Sequence, residues 1–101
     1  MIIIYTVIEK FEEAENIAQT LISEKLVACV NMWPINSMYM SNKKLLKVNE
    51  TGVFLKTSAS SQEAVYQRLL ELHPYECPAI ITMNINQAHP AFAHWVQEQT
   101  H

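Results

Sequence analysis

The chain has a single glycine, two cysteines and no aspartate among its 101 residues. Because glycine is the residue that most readily adopts positive φ, its scarcity means that Asn, Ser, Pro and Lys must make the turns. The two cysteines, Cys29 and Cys77, are far apart in a chain with no apparent export signal. This usage favours reduced thiols in the cytoplasm over a disulfide framework.

Positive charge is also scarce, since seven Lys and Arg residues stand against ten acidic residues and the net charge is −3. The positive residues are scattered, apart from the pair Lys43-Lys44. Nucleic-acid binding needs a basic patch, so no nucleic-acid partner is expected. No apolar run reaches transmembrane length, and residues 1–10 lack the basic start of a secretory signal. We therefore expect a cytoplasmic protein with no membrane partner.

Apolar residues are abundant, at 50% of the chain against 17% charged residues. This balance is typical of a folded globular protein and excludes a disordered one. A length of 101 residues is close to the commonest domain size. Residues 1–101 are therefore predicted to form a single domain without repeats or linkers.

Hydrophobic periodicity predicts four strands and three helices. Runs of β-branched and aromatic residues indicate strands, and apolar residues spaced three and four apart indicate helices. The predicted elements are, in order, a strand at 2–8, a helix at 11–25, strands at 26–33 and 45–57, a helix at 58–73, a strand at 75–86 and a helix at 89–99.

The ends of the strands are predicted from local signals. The second strand is expected to end near Pro34, although the Tyr39 region could continue it. Residues 41–43 form a plausible turn, because asparagine tolerates positive φ. In the third strand the apolar positions change from even to odd numbers around Gly52. A β-bulge at this glycine would explain the change.

The helices carry their own signals. The first helix has one apolar face, formed by Ala14, Ile17, Ala18, Leu21 and Ile22. The second begins with a capping box, with Ser60 as N-cap and Glu63 at N3. Its buried stripe is predicted to be Val65, Leu69 and Leu72. Pro74 should stop this helix, and Pro90 should occupy the first position of the third helix.

The first six elements have the order β-α-β-β-α-β, which is the split βαβ of the ferredoxin-like α+β sandwich. In that fold the two central helices cover one face of a four-stranded sheet and leave the other open. The predicted strands are apolar on both faces, as Val27 and Cys29 against Ala28 and Val30 illustrate. An apolar open face in so small a chain predicts burial against copies of itself, and hence a homo-oligomer.

The segment HPYECP, residues 73–78, gathers the residue types of a metal or nucleophilic site. His73 and Cys77 could bind a metal, since imidazole and thiolate suit copper and zinc. Alternatively, His73 only satisfies the end of a helix, and Cys77 is a small buried hydrophobe. By strand alternation Glu76 should point away from Cys77. A carboxylate on an apolar strand needs a partner.

The partner expected for Glu76 is Lys56, Arg68, a group on another subunit or a bound ligand.

Three methionines, Met32, Met38 and Met40, are close in sequence and could bind Cu(I) through their thioethers. Methionine is also a common packing residue in hydrophobic hairpins. No Cys or His pair has the spacing of a closed structural zinc site.

Several short sequence segments, including HPYECP, together resemble the CutA family of divalent-cation tolerance proteins. The similar strings run from end to end of the chain: LVACVNMWP, SMYMSNKKL, FLKT, HPYECPAI and PAFAHWV. The resemblance implies a ferredoxin-like subunit in a homotrimer similar to the PII signalling proteins. It also implies tolerance of divalent cations, copper above all, with no firmly attached reaction. The chain departs from the family at residues 40–43, where relatives usually carry tryptophan and a turn glycine.

These observations predict a homotrimeric CutA-type protein that binds metal ions, most readily copper, and needs no resident cofactor. The predicted metal ligands are His73, Glu76 and Cys77. The alternative is a PII-like small-molecule sensor or protein-interaction module, with its ligand in the cleft between subunits. An enzyme is not expected, because no nucleophile motif or phosphate loop is present. A hydrolase based on Cys77 is numerically possible but has poor geometry across a helix end.

Overall fold

A four-stranded antiparallel sheet forms the centre of the computed structural model, which describes residues 1–100. Within these residues the chain has four strands and three α-helices. They are β1 (Ile2–Ile8), α1 (Phe11–Ser23), β2 (Cys29–Ser41), β3 (Lys44–Thr57), α2 (Gln62–Leu72), β4 (Ile80–Asn84) and α3 (Pro90–Gln99). The strand order is β2-β3-β1-β4. This topology is that of the ferredoxin-like sandwich with an added C-terminal helix, so the predicted α+β fold is confirmed.

The hydrophobic core lies between one face of the sheet and the helices α1 and α2. Alternate residues of β1 point into it, and Ile2, Ile4 and Ile8 are almost fully buried. The helices contribute Ala14, Ile17, Ala18, Leu21, Val65 and Leu69. Burying one such large aliphatic side chain stabilises the fold by about 2 kcal/mol. Ile22, predicted to share the buried face, is instead 44% exposed, because the apolar face of α1 is wider than the surface that it covers.

Helix α1 ends with its last carbonyl groups satisfied by a Schellman motif. The Lys25 amide donates to the Ile22 carbonyl at 3.0 Å, and the Leu26 amide donates to the Leu21 carbonyl at 3.0 Å. The motif requires a left-handed residue, and Lys25 has φ 61°. Glycine usually occupies this position, so the backbone of Lys25 is strained.

Helix α2 starts two residues later than the predicted N-cap. A 3₁₀ turn, Ala59–Ser61, precedes it, and the N-cap residue is Ser61, with no side-chain capping hydrogen bond. The predicted capping box of Ser60 and Glu63 is therefore wrong. The Ser58 hydroxyl instead lies within hydrogen-bonding distance of the Ser60 and Ser61 hydroxyls. Hydroxyl groups that bond locally in this way compete with the cap geometry.

Strand β2 runs through Pro34 to Ser41, so the prediction that it ends near Pro34 is wrong. Because β2 is an edge strand, a residue without an N–H group is tolerated there. The predicted turn is confirmed: Asn42 and Lys43 have φ 50° and 64° and join the paired residues Ser41 and Lys44. Two positive φ values are typical of a type I′ hairpin. The long hairpin gives the molecule extents of 46 × 25 × 21 Å.

Gly52 makes no β-bulge, because the pairing of β3 with both neighbours continues through it without a break. Its partner on β2 is Trp33, and a Cβ atom on Gly52 would lie 2.9 Å from two atoms of the indole ring. The glycine thus makes room for Trp33. The change in apolar parity arises because Val53 faces the helices whereas Val48 lies on the opposite side of the same continuous strand.

The C-terminal third keeps its predicted order with changed lengths. Strand β4 is only five residues long, against the twelve predicted, because residues 75–79 form a loop instead. Pro90 occupies the start of α3 as predicted, and the His89 ring nitrogen Nδ1 accepts a hydrogen bond from the Ala91 amide at 3.2 Å. None of the helices in residues 1–100 is long and apolar enough to cross a membrane.

Candidate functional site

The loop between α2 and β4, residues 73–79, holds all three predicted metal ligands. Helix α2 ends at Leu72, and His73 is extended, with φ −69° and ψ 132°. The residue before a proline disfavours helical geometry, so Pro74 stops the helix as predicted. The chain then crosses the end of β1 and enters β4 at Ile80, which pairs with Thr6.

His73 is a buried structural residue with both ring nitrogens engaged. Its Nε2 lies 3.0 Å from the Thr6 hydroxyl and 3.0 Å from the Val7 carbonyl oxygen. Its Nδ1 accepts a hydrogen bond from the Tyr75 amide at 3.1 Å. An Nδ1 that accepts requires the proton on Nε2, which then donates to Val7.

Burial lowers the pKa of His73 below its ordinary value of 6.5, and the contacts with Val7 and Glu13 only partly offset this effect. The ring is therefore neutral and has no free lone pair in this arrangement. Metal binding by His73 would require its contact with Tyr75 to break.

Tyr75 connects the loop to the β2–β3 hairpin. Its hydroxyl donates to the Glu50 carboxylate over 2.5 Å, and its ring lies edge-on to the His73 ring at 4.9 Å. Burial is the main cause that raises the pKa of Tyr75 well above its usual range, followed by the hydrogen bond to Glu50. The nearby Glu9 and Tyr39 act in the same direction. The phenol therefore stays protonated and remains a donor.

Glu76 and Cys77 are both exposed loop residues. The predicted strand alternation, with Glu76 on one face and Cys77 on the other, is therefore wrong, and so is the placing of Cys77 in a buried row. The expectation that Lys56 or Arg68 pairs with Glu76 is wrong, whereas a group on another subunit or a bound ligand stays a prediction. Within residues 1–100 Glu76 makes no hydrogen bond or ion pair.

The two cations proposed as partners for Glu76 are engaged elsewhere. Arg68 makes a two-pronged ion pair with Glu24, with distances of 2.9 Å and 2.8 Å, and joins α2 to the end of α1. The Arg68 guanidinium lowers the pKa of Glu24. The Lys56 ammonium lies over the Phe92 ring, 5.6 Å from its centroid.

Other soft donors are dispersed in the chain. Met38 and Met40 are 64% and 63% exposed on the hairpin, whereas Met32 packs against the core. Cys29 lies opposite Lys56, and burial raises the pKa of its thiol more than the Lys56 charge lowers it. No group of three or more His, Cys, Asp or Glu side chains that could hold a metal ion exists within the described residues.

The sheet face opposite the helices, here called the open face, carries an aromatic cluster that sequence reasoning did not foresee. Trp33 and Phe54 meet edge to face at 4.8 Å, and Tyr5 lies 5.9 Å from Phe54 and 6.4 Å from Trp33. Next to them on β4, Ile81 is 52% exposed. The signal in the sequence was the single glycine, because Gly52 pairs with Trp33 and makes room for its ring.

A surface groove lies at the other end of β1, away from the loop. It has a volume of about 490 Å³ and runs between α3 and residues 58–60. Its walls include the side chains of Ser58, Ser60, His94 and Gln97. None of the predicted metal ligands lines it.

Comparison with known proteins connects this arrangement to one family. A family model described as "CutA1 divalent ion tolerance protein" matches residues 2–99. The divalent-cation tolerance protein CutA of Pyrococcus horikoshii is 36% identical over 100 residues, covering 99% of this chain and 98% of the relative. A crystal structure of CutA1 from that organism is similar with a TM-score of 0.96 at 35% identity, and covers 100% of this chain and 99% of that one.

Two further solved structures extend the comparison. A PII-like CutA from Nostoc sp., in apo form, has a TM-score of 0.93 at 32% identity and covers 100% of this chain and 98% of its own. A divalent cation tolerance protein CutA from Archaeoglobus fulgidus, described as periplasmic, has a TM-score of 0.93 at 32% identity, with 98% of each chain covered. The chain belongs to the CutA1 family of divalent ion tolerance proteins.

Proposed function

We propose that the protein binds divalent metal ions, copper above all, as a homotrimer and thereby contributes to metal tolerance. The observation that carries this proposal is the adjacent pair Glu76 and Cys77, a carboxylate and a thiol that are exposed and have no partner in residues 1–100. A thiolate is a preferred ligand of soft and borderline ions such as Cu(I) and Zn(II). The names of the relatives, which refer to divalent-cation tolerance, support the same function.

A trimer would supply the additional metal ligands that a single chain lacks. Two adjacent donors are too few for a closed metal site, which usually has four ligands. Symmetric association would bring the same loop, or the hairpin methionines, from a neighbouring subunit. The apolar open face and the exposed hairpin support such association, because contiguous apolar surface of this kind marks an interface.

His73 has a supporting role in this proposal. Its contacts with Val7 and Tyr75 fix the start of the loop, and its neutral ring has no free lone pair. The same geometry favours a binding protein over an enzyme. A catalytic Cys77 would need a neighbouring base, and the imidazole four residues away is buried against β1.

The test is copper titration of the purified protein by calorimetry, with bound metal counted by elemental analysis. We expect saturable binding at a fixed ratio per chain, which C77S and E76Q weaken. Cys29→Ser is the matched control, since it removes the other thiol, which lies at the start of β2 and outside the loop. Titration indistinguishable from that of a metal-free control protein would refute metal binding. Sedimentation equilibrium tests the trimer, and a monomer at micromolar concentration would contradict it.

A second candidate function is a small-molecule sensor or protein-interaction module with its ligand in the cleft between subunits. The similarity to a CutA described as PII-like favours it. A ligand that binds only the folded state raises the melting temperature by mass action. A metabolite panel that leaves the melting temperature unchanged would argue against a sensor.

We propose a cytoplasmic location on the basis of the two cysteines, which are both free in the structure. The periplasmic description of the Archaeoglobus relative points the other way for that protein. Cell fractionation with an antibody against the protein decides between the two compartments.

A further inference from the structure

The loop that carries Glu76 and Cys77 has a single side-chain anchor. From Pro74 to Pro78, the hydrogen bonds within the described part of the chain are all made by Tyr75. Its amide donates to His73 Nδ1 at 3.1 Å, and its hydroxyl donates to Glu50 at 2.5 Å. Glu76 and Cys77 follow directly, so their positions depend on how firmly Tyr75 is held.

The far end of this anchor lies at a structural boundary. Strand β1 pairs with β3 from Thr51 to Thr57, and Glu50 is the first residue of β3 beyond that pairing. From Glu50 outward, β3 pairs only with β2, starting at Ile35. The Tyr75–Glu50 hydrogen bond therefore joins the loop to the base of the projecting hairpin.

The near end of the anchor is fixed to the core. His73 Nε2 donates to the Val7 carbonyl oxygen at 3.0 Å, and the ring of His73 packs edge-on against that of Tyr75. Val7 belongs to β1, a central strand of the sheet. A continuous set of contacts thus runs from β1 through His73 and Tyr75 to the hairpin.

We propose that Tyr75 is a positioning residue whose hydrogen bond to Glu50 locks the segment carrying Glu76 and Cys77 against the base of the hairpin. A hydrogen bond to a carboxylate is stronger than one between neutral groups. We call the Tyr75–Glu50 hydrogen bond and the restraint that it places on the segment the lock. The expected effect of the lock on metal affinity rests on the proposed function, whereas the existence of the lock does not.

The lock would favour metal binding by preorganisation. Ligands that are held near their bound geometry lose less conformational freedom when the ion arrives. Without the Tyr75–Glu50 contact, the segment from Pro74 to Pro78 would keep only the contacts of Tyr75 with His73. The hairpin would lose a contact at the point where it leaves the sheet.

Hydrogen exchange of Tyr75→Phe tests the lock without any metal. We expect amides in residues 45–50 and 75–77 to exchange about ten-fold faster, which corresponds to the loss of one charge-assisted hydrogen bond. Tyr66→Phe is the matched control, because Tyr66 is exposed on α2 and makes no hydrogen bond in residues 1–100. Equal exchange rates in Tyr75→Phe and wild type would overturn the lock.

Metal affinity tests the positioning role with a rescue. Tyr75→Phe and Glu50→Leu should each weaken copper binding about ten-fold, whereas Glu50→Gln should restore most of it, because its amide oxygen still accepts the hydrogen bond. If both weakening variants bind copper as tightly as wild type, positioning is refuted although the proposed function stands. If wild type binds no copper, the proposed function fails, and the exchange rates alone decide the lock.

Discussion

The two halves of the β2–β3 ribbon share one continuous register but have very different surroundings. The inner half, where Thr51–Thr57 of β3 pairs with β1, is covered by α1 and α2. The outer half, residues 35–50, pairs only with itself, and Met38, Met40 and Leu45 are more than half exposed. Strand pairing, with the Tyr75–Glu50 hydrogen bond at its base, holds the outer half in shape, whereas packing against the helices holds the inner half.

Truncation of one leucine in each half of β3 should give the largest difference between the two halves. Leu55 is fully buried and Leu45 is 57% exposed, and both lie on the same side of the strand. Leu55→Ala should lower the free energy of unfolding by about 3 kcal/mol, because it leaves a cavity. Leu45→Ala should act only through association, so its effect should depend on protein concentration.

Urea unfolding at several protein concentrations measures both leucine variants. An equal, concentration-independent loss in Leu45→Ala and Leu55→Ala would show that the outer half is packed within its own subunit. That result would contradict the distinction between the two halves.

Gly52 lies at the boundary between the halves and gives the next largest effect. An alanine Cβ would meet the Trp33 ring at 2.9 Å, and overpacking of this kind costs about 2 kcal/mol. In a Trp33→Leu background the same substitution should cost clearly less, because the clashing ring is absent and the remaining cost comes from the Ile35 methyl, 3.1 Å from the added Cβ atom. A double-mutant cycle on unfolding free energies measures this coupling. Additive costs would mean that the glycine serves another purpose.

His73, which packs against β1, should make the stability of the folded protein depend on pH. Its pKa is lowered in the folded protein, so the unfolded chain binds the proton more tightly. The stability that depends on the neutral ring is complete above the unfolded pKa of 6.5 and is lost as the pH falls below it. His73→Gln should flatten this part of the profile.

Unfolding free energies measured from pH 7.5 downward check the His73 prediction. His94→Gln, which removes an exposed imidazole from α3, is the matched control. Losses below about pH 4.5 involve Glu24, whose pKa is also lowered, and do not bear on His73. An unchanged slope near pH 6 in His73→Gln would contradict the assignment.

Two lysines with positive φ give the smallest effects. Lys25 closes helix α1, and its φ is 61°, whereas Lys43 forms the hairpin turn with φ 64°. Lys25→Gly should raise the global unfolding free energy by about 1 kcal/mol, because it relieves a left-handed residue in the packed half. Lys43→Gly should protect only the hairpin amides from hydrogen exchange. A global gain from Lys43→Gly equal to that from Lys25→Gly would remove the distinction.

The order of elements and the core were predictable from the sequence because they depend on local periodicity. The alternation of β1 and the 3.6-residue spacing of α1 are such local signals. The course of β2 past Pro34 was not predictable, because it depends on β2 being an edge strand. The role of Gly52 was also hidden, since Trp33 is nineteen residues away and meets it only across a strand pair.

In the candidate site, too, features set by neighbouring residues could be predicted, whereas features set by residues distant in sequence could not. That Pro74 stops a helix could be predicted from neighbouring residues alone. The burial of His73 depends on Thr6 and Val7, which are 67 and 66 residues away. The alternation argument for Glu76 and Cys77 failed because it assumed a strand, whereas Tyr75 turns towards Glu50 and keeps the segment out of the sheet until Ile80.

Pro34 has a consequence for how copies of this chain can associate. The exposed edge of β2 is thirteen residues long, and an edge of that length invites strand-by-strand growth into filaments. A residue without an N–H group interrupts the row of donors near the middle of this edge. Chains that meet here cannot extend one uninterrupted ladder from copy to copy.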